Sequence, residues 1–197
     1  MKMYKKVLAA ALAGAMTVSM SATAFAADDD GYILKATSED SKSSDNDLVI
    51  AIEGSVSSMD PANIPDTSAI SATRGVYETL VSFDENQTLV GKLAESWEVS
   101  DDSLTYTFKL RQGVKFQDGT DFNAAAVKAN YDRVVDKDNN LRQRRTFIVS
   151  NADGSETPRV DSIETPDDYT LVIKLTQAWA PFINRLTQFC IISPAAL

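Results

Sequence analysis

Residues 97–110 alternate apolar and polar side chains on either side of the short polar segment 100–103. In the second arm the apolar side chains share one face, formed by Tyr106, Phe108 and Leu110, and the polar ones share the other, formed by Thr105, Thr107 and Lys109. This alternation predicts a β-hairpin with one buried face. We therefore expect Trp97, Tyr106 and Phe108 to pack in a core and not to form a stacking surface for a ligand.

Helical and strand patterns both occur around this hairpin. Asp66 can cap a helix whose apolar spacing runs through Ile70, Thr73, Val76, Tyr77 and Leu80. Asn123 can cap a second helix over residues 124–135. The other predicted elements are strands over 48–52, 160–163 and 170–175 and a helix over 181–187. This mixture predicts an α/β fold of the mixed α+β kind, with antiparallel pairing in its sheet.

The first 26 residues have the three parts of a secretory signal peptide. Lys2, Lys5 and Lys6 precede an apolar run that begins at residue 7, and the small-x-small pattern of residues 24–26 follows. The apolar run is short for a membrane-spanning helix, and polar residues and a glycine interrupt it. We predict cleavage between Ala26 and Ala27 and an exported protein, in the periplasm or at the cell surface. No Cys follows the cleavage site, so we expect no lipoprotein anchor.

Composition divides the remaining chain and excludes several functions. Residues 27–47 are rich in Asp, Ser and Lys, which predicts a flexible acidic leader before a domain over residues 48–197. The chain has no His and one Cys, so it cannot form a Ser-His-Asp triad, a Cys-His nucleophile, a disulfide within the chain or a Cys-His metal site. Its net charge of −9 argues against binding to nucleic acid.

Several motifs occur in one order along the domain. Residues 93–116 closely resemble the signature of family 5 extracellular solute-binding proteins, the receptors of ABC importers for peptides, nickel and related solutes. Residues 118–127 resemble the family's entry into a helix. Shorter matches to the family are Asp60-Pro61, residues 77–81, residues 180–182 and residues 192–194.

The resemblance implies both a fold and a function. Family members have two lobes that close on a ligand, so we expect residues 48–197 to be the N-terminal part of a two-lobed periplasmic-binding-protein-like fold (type II, cluster C) with the second lobe missing. The implied function is not enzymatic: a monomer without cofactor captures short peptides and delivers them to a membrane permease coupled to an ATPase.

The resemblance also implies which residues face the ligand. We expect contacts from the loop after the first strand, from the helix that follows it and from the segment after Asn140. An arginine in that segment can pair with a carboxylate, and an aromatic ring can stack on a ligand. The candidate ligand-binding residues are Gly54, Ser55, Val56, Ser57, Ile70, Arg142, Arg144, Arg145 and Phe147. We expect no catalytic residue and no metal ligand.

Three alternatives stay open. Within the family, the ligand can be a nickel chelate or haem, since an arginine can recognise a carboxylate chelate without histidine. From another class, a secreted hydrolase can act through carboxylates alone if two acids line one pocket. The acidic pairs at residues 101–102 and 167–168 fall at predicted turns, where Asp is favoured for local hydrogen bonds. A surface interaction module without a small ligand would instead present an exposed apolar patch.

The signal peptide gives a first prediction. When the chain is expressed in bacteria with an intact export pathway, we expect the exported product to begin at Ala27, because residues 24–26 form the cleavage pattern. Mass spectrometry of the purified exported protein measures its N-terminus. An exported product that retains residues 1–26 would contradict the prediction.

Overall fold

A four-stranded antiparallel sheet organises the part of the chain that the computed structural model describes, residues 54–64 and 66–197. The predicted signal peptide, the leader and the strand over 48–52 lie outside the described residues. In chain order the strands are β1 (Glu78–Thr79), β2 (Val81–Phe83), β3 (Leu89–Gly91), β4 (Ala94–Val99), β5 (Thr105–Leu110), β6 (Ile148–Ser150), β7 (Glu156–Pro158), β8 (Val160–Asp167), β9 (Thr170–Leu175) and β10 (Cys190–Ile191). The helices are α1 (Thr67–Arg74), α2 (Ala124–Val135), α3 (Arg144–Phe147) and α4 (Phe182–Arg185), and short 3-10 turns span Pro61–Asn63, Leu186–Gln188 and Pro194–Ala196.

The strand order in the main sheet is β4-β5-β9-β8, and three two-stranded pairs surround it within the described residues: β1-β10, β2-β3 and β6-β7. The expected mixed α+β class is therefore confirmed. Among the described residues, no helix combines the length and the apolar character needed to span a bilayer.

The predicted hairpin forms β4 and β5. Trp97 pairs with Phe108 and Val99 with Tyr106, and the Ser100 N–H donates to the Thr105 carbonyl at 2.9 Å to close the turn. Tyr106 and Phe108 are buried, whereas Trp97 is half-buried against the same core. The expectation that these three rings pack in the core is confirmed.

Strand β9, from a later part of the chain, pairs with β5 of this hairpin. Phe108 pairs with Leu171 and Tyr106 with Ile173, so the buried faces of β5 and β9 form one apolar layer. Strand β8 extends to Asp167, beyond the predicted end at residue 163. Pro166 lies within it, which is tolerated because β8 is an edge strand and the proline's missing N–H interrupts no inner ladder.

Helix α2 has the predicted bounds. Its cap is Asn123, whose side chain accepts a hydrogen bond from the Ala126 N–H at 2.9 Å. The buried Asn130 donates to the Ile192 carbonyl at 2.7 Å and accepts from the Ile192 N–H at 3.0 Å. Asn130 thus satisfies both backbone groups of Ile192 and fixes the segment after β10 against α2.

Helix α1 is shorter than its apolar spacing predicts. Asp66 caps it as expected and accepts from the Ala69 N–H at 2.8 Å. The helix ends at Arg74, and the N–H groups of Val76 and Tyr77 both donate to the Thr73 carbonyl. The expectation that Val76, Tyr77 and Leu80 continue the helix is wrong, because residues 78–79 pair with β10 and a strand replaces the last helical turn.

The end of the chain differs from the prediction in a smaller way. The helix expected over 181–187 is divided into α4 and the 3-10 turn Leu186–Gln188. Cys190, in β10, is half-buried. Burial, partly offset by the positive charge of Arg74, raises the pKa of its thiol to about 11, so the thiol stays protonated and unreactive at neutral pH.

The sheet core gives a matched pair of substitutions. Phe108→Ala removes a fully buried ring between β4 and β9, and we expect it to lower the free energy of unfolding by about 3–5 kcal/mol. Phe83→Ala removes the same atoms from a ring that is 40% exposed, and we expect a loss of less than about 1 kcal/mol. Denaturant unfolding followed by circular dichroism measures both. Equal losses would contradict the assigned core.

Candidate ligand-binding site

The loop over residues 54–57 lies against the start of α1. The Ser57 hydroxyl donates to the Asp66 carboxylate at 2.6 Å. A Cβ on Gly54 would meet the Ser68 hydroxyl oxygen at 3.1 Å, and Gly54 has a positive φ of 98°, so the loop's first position favours glycine on two grounds. The structure therefore brings the loop and the first turn of the next helix into contact.

Asp66 connects the loop to the helix electrostatically. The hydrogen bonds from the Ser57 hydroxyl and from the Ala69 N–H hold the pKa of its carboxyl below the usual value, so it is ionised at neutral pH. A negative charge at the N-terminus of α1 also suits the helix dipole. Two apolar side chains on this surface are exposed, Val56 at 37% and Ile70 at 40%.

The segment after Asn140 approaches the same region through Gln143. The Gln143 N–H donates to the Ala62 carbonyl at 3.0 Å, and its side-chain amide donates to the Gln188 carbonyl at 2.7 Å. Ala62 belongs to the 3-10 turn that follows the candidate loop. One backbone hydrogen bond thus connects the segment after Asn140 to the turn that follows the candidate loop. Arg142, immediately before Gln143, is exposed.

Two of the candidate residues have structural partners in this segment. The guanidinium of Arg144 donates to both carboxylate oxygens of Glu156, at 2.5 and 2.9 Å, and its Nε donates to the Val135 carbonyl at 2.8 Å. The ring of Phe147 is 2% exposed and packs edge-to-face against Tyr131 and Phe189, with ring centroids 5.2 Å apart in each case. For Phe147 to stack on a ligand, the ring would have to leave this cluster.

Sequence reasoning missed an ion pair beside the loop. Arg133 donates through both terminal nitrogens to the two oxygens of Asp60, at 3.2 and 2.6 Å. Asp60 also accepts from the Ala62 N–H at 3.0 Å. The two residues are far apart in sequence, and neither lies in a pattern that predicts the contact.

Asp60 is ionised in spite of its partial burial. Burial raises the pKa of its carboxyl, but the hydrogen bonds from Arg133 and the Ala62 N–H, together with the charge of Arg133, lower it further, and the net pKa lies below 3.8. The pair borders a cavity of about 480 Å³ that is also lined by Met59, Tyr77, Gln117 and Ile192.

The described residues contain no group of three or more His, Cys, Asp or Glu side chains that could hold a metal ion.

The remaining candidate, Arg145, lines a second cavity with Thr146, Arg159, Trp179 and Arg185. The two cavities have no lining residue in common among those that the structure describes. Of the sequence-predicted residues, the structure therefore groups the loop 54–57 with α1, and it places the Arg145 side chain in a different pocket.

Comparisons with known proteins define the class of this chain. Residues 88–196 match the family model described as bacterial extracellular solute-binding proteins, family 5 middle. The glutathione-binding protein GsiB of Escherichia coli K12 is 41% identical over 153 residues, which are 77% of this chain and 28% of that protein. The chain thus spans about 28% of the length of the curated relatives it matches.

Solved structures agree with this match. DppA of Helicobacter pylori, in complex with the peptide STSA, is 31% identical with a TM-score of 0.56, over 71% of this chain and 29% of that one. NikA of Brucella suis, in complex with Fe(III)-EDTA, is 34% identical with a TM-score of 0.58, over 71% of this chain and 26% of that one.

These similarities define a part of a two-lobed binding protein of the periplasmic type. The chain belongs to family 5 of the bacterial extracellular solute-binding proteins. The resemblance carried by residues 93–116 is confirmed. At the family level the members are transport receptors for solutes and not enzymes, and they act outside the cytoplasm.

The ion pair beside the loop makes a pH-dependent prediction. Because the pKa of Asp60 is lower in the folded chain than its ordinary 3.8, its ionised form stabilises the fold above pH 3.8, and this contribution is lost as pH falls through the folded pKa. We expect Asp60→Asn to lower the free energy of unfolding by about 1–3 kcal/mol at pH 7. The difference from the unmodified chain should shrink below pH 4.

Asp121→Asn is the control for this prediction. Asp121 pairs with Lys115, and both side chains are well exposed, at 69% and 60%, so we expect a loss below about 1 kcal/mol. Urea unfolding of the three proteins at a series of pH values measures these differences. A difference for Asp60→Asn that is unchanged from pH 7 to pH 3 would contradict the assigned role.

Proposed function

We propose that this chain belongs to the substrate-capturing component of an ABC importer that binds short peptides outside the cytoplasm and delivers them to a membrane permease coupled to an ATPase. The observation that carries the proposal is the 41% identity to a glutathione-binding protein over 77% of the chain. Further support comes from DppA, whose structure contains a bound peptide. In this proposal the protein is a monomer that uses no cofactor.

The candidate ligand surface consists of Gly54, Ser55, Val56, Ser57 and Ile70, and Arg142 lies beside its connection to the later segment. A serine-rich loop offers hydroxyl and backbone hydrogen bonds to a peptide main chain. The exposed Val56 and Ile70 offer apolar contact to peptide side chains. Arg142 can pair with the ligand's terminal carboxylate.

The proposed mechanism is a shift between two conformations. A ligand held by this surface and by a second lobe favours the closed form, and the permease recognises that form. Selectivity would then depend on both lobes. Binding to this chain alone should accordingly be weaker than binding to a two-lobed relative, because only part of the contact area is present.

Calorimetric titration of the purified chain with glutathione, with di- and tripeptides and with Fe(III)-EDTA tests this function. We expect peptide binding with a Kd of about 1 mM or tighter. Ile70→Glu should weaken binding by about tenfold, because it places a charge in the apolar part of the surface. Val99→Glu alters a similarly exposed residue, 43% against 40%, on the β4–β5 hairpin and should leave binding unchanged.

The titration also separates the alternatives. Binding of Fe(III)-EDTA without any peptide would favour a chelate receptor and overturn the peptide assignment. Peptide binding that is equally reduced by Ile70→Glu and Val99→Glu would place the ligand away from the proposed surface. Peptide cleavage during the titration would indicate a hydrolase, and mass spectrometry of the titrated mixture detects it.

A further inference from the structure

Three arginine side chains from separate elements line a cavity of about 260 Å³. Arg145 belongs to α3, Arg159 to the link between β7 and β8, and Arg185 to the end of α4. The other two lining residues are Thr146 and Trp179. No carboxylate is among the lining residues that the structure describes, so the charged side chains of this described lining are all positive.

The backbone around Arg159 holds this cluster in place. The Arg159 N–H donates to the Phe147 carbonyl at 2.8 Å, and its carbonyl accepts from the Thr176 N–H at 2.9 Å. Arg159 is thereby fixed between the end of α3 and the end of β9. These hydrogen bonds form only in the folded chain, because the three segments are distant in sequence.

Trp179 orients the guanidinium of Arg159. The Arg159 Cζ lies 4.0 Å from the centre of the Trp179 ring, which is the distance of a cation–π contact. The Nε of Arg159 is buried and has no hydrogen-bond partner within the described residues. A buried N–H without an acceptor is costly, and an acceptor that enters the pocket would remove this cost.

The charges of the pocket are not neutralised by the described part of the protein. Among the ion pairs of residues 54–64 and 66–197, Arg133 and Arg144 have carboxylate partners, whereas Arg145, Arg159 and Arg185 take part in none. An arginine remains charged at all physiological pH values, so three positive residues border this pocket, Arg159 half-buried and Arg145 and Arg185 exposed. An anion in the pocket would be attracted by all three charges, most strongly by the half-buried one.

We propose that Arg145, Arg159 and Arg185 form a binding site for a small oxyanion, that is, a carboxylate or a phosphate group, with Trp179 supporting the site. Planar guanidinium groups donate paired hydrogen bonds that match the oxygens of both anions. Thr146, a further lining residue, carries a hydroxyl that can donate another hydrogen bond. This site goes beyond the proposed transport function, and none of these residues belongs to the candidate ligand surface, although Arg145 is among the ligand-binding residues that the sequence predicts.

Trp179 allows a direct measurement of binding. The chain has two tryptophans, so Trp97→Phe leaves Trp179 as the sole indole reporter. Fluorescence of this variant is titrated with sodium phosphate and, separately, with sodium succinate, while sodium chloride keeps the ionic strength constant. We expect a saturable change with at least one of the two anions and none with chloride alone. The anion whose titration saturates shows whether the site binds phosphate or carboxylate groups.

Substitutions in the same background test the three-arginine arrangement. Arg185→Gln should weaken anion binding by about tenfold or more, because it removes a charged hydrogen-bond donor from the pocket. Arg185→Lys retains the positive charge but not the planar guanidinium, so its anion affinity should lie between those of the parent and of Arg185→Gln. Arg111→Gln, which alters an exposed arginine outside both the pocket and the candidate ligand surface, is the matched control and should bind as tightly as the parent. Circular dichroism verifies the fold of each variant.

Two outcomes would overturn the proposal. A fluorescence change that follows ionic strength and is the same for phosphate, succinate and chloride would indicate charge screening without a site. A saturable change that Arg185→Gln leaves intact would place the anion elsewhere. Because peptide binding is scored by calorimetry with Ile70→Glu and Val99→Glu, either proposal can fail without the other.

Discussion

The pairing of β5 with β9 is the contact on which the rest of the described structure depends. It joins the hairpin over residues 94–110 to a strand about 60 residues later, and it places Phe108 opposite Leu171. The intervening chain, including α2 and the segment over 142–147, must then leave from the end of β5 and return to the start of β9 beside it. Two backbone hydrogen bonds of this intervening chain position the candidate ligand surface and the arginine pocket. The Gln143 N–H donates to the Ala62 carbonyl beside the ligand surface, and the Arg159 N–H donates to the Phe147 carbonyl beside the pocket.

Elements governed by neighbouring residues were predictable from the sequence. The β4–β5 hairpin, the cap and bounds of α2, and the strand β9 all follow from side-chain alternation, turn formers or a capping residue within a few positions. The end of α1 was not predictable in this way. Its apolar spacing continues past Arg74, but pairing of residues 78–79 with β10 outweighs the local preference. That pairing depends on a segment more than 100 residues away.

The same division applies to the candidate site. The loop 54–57 and Asp66 are close in sequence. The family resemblance identified the loop as a candidate ligand contact, and capping rules identified Asp66 as the cap of α1. The role of the arginines was not predictable, because each depends on a distant partner. Arg144 is bound by Glu156, Arg133 by Asp60, and Arg159 by Trp179. A run of basic residues in a sequence shows where charge is concentrated but does not show which charges the fold will neutralise.

The arginines therefore fall into two physical classes within the described residues. Arg133 and Arg144 each donate two hydrogen bonds to one carboxylate, and both pairs are less than one-third exposed, so they link separate segments of the fold. Arg145, Arg159 and Arg185 line one pocket, with no carboxylate among its described lining residues, in a protein whose overall charge is −9. In so acidic a chain, acidic side chains are abundant, and their absence from the described lining of this pocket leaves its positive potential available to an anion from solution.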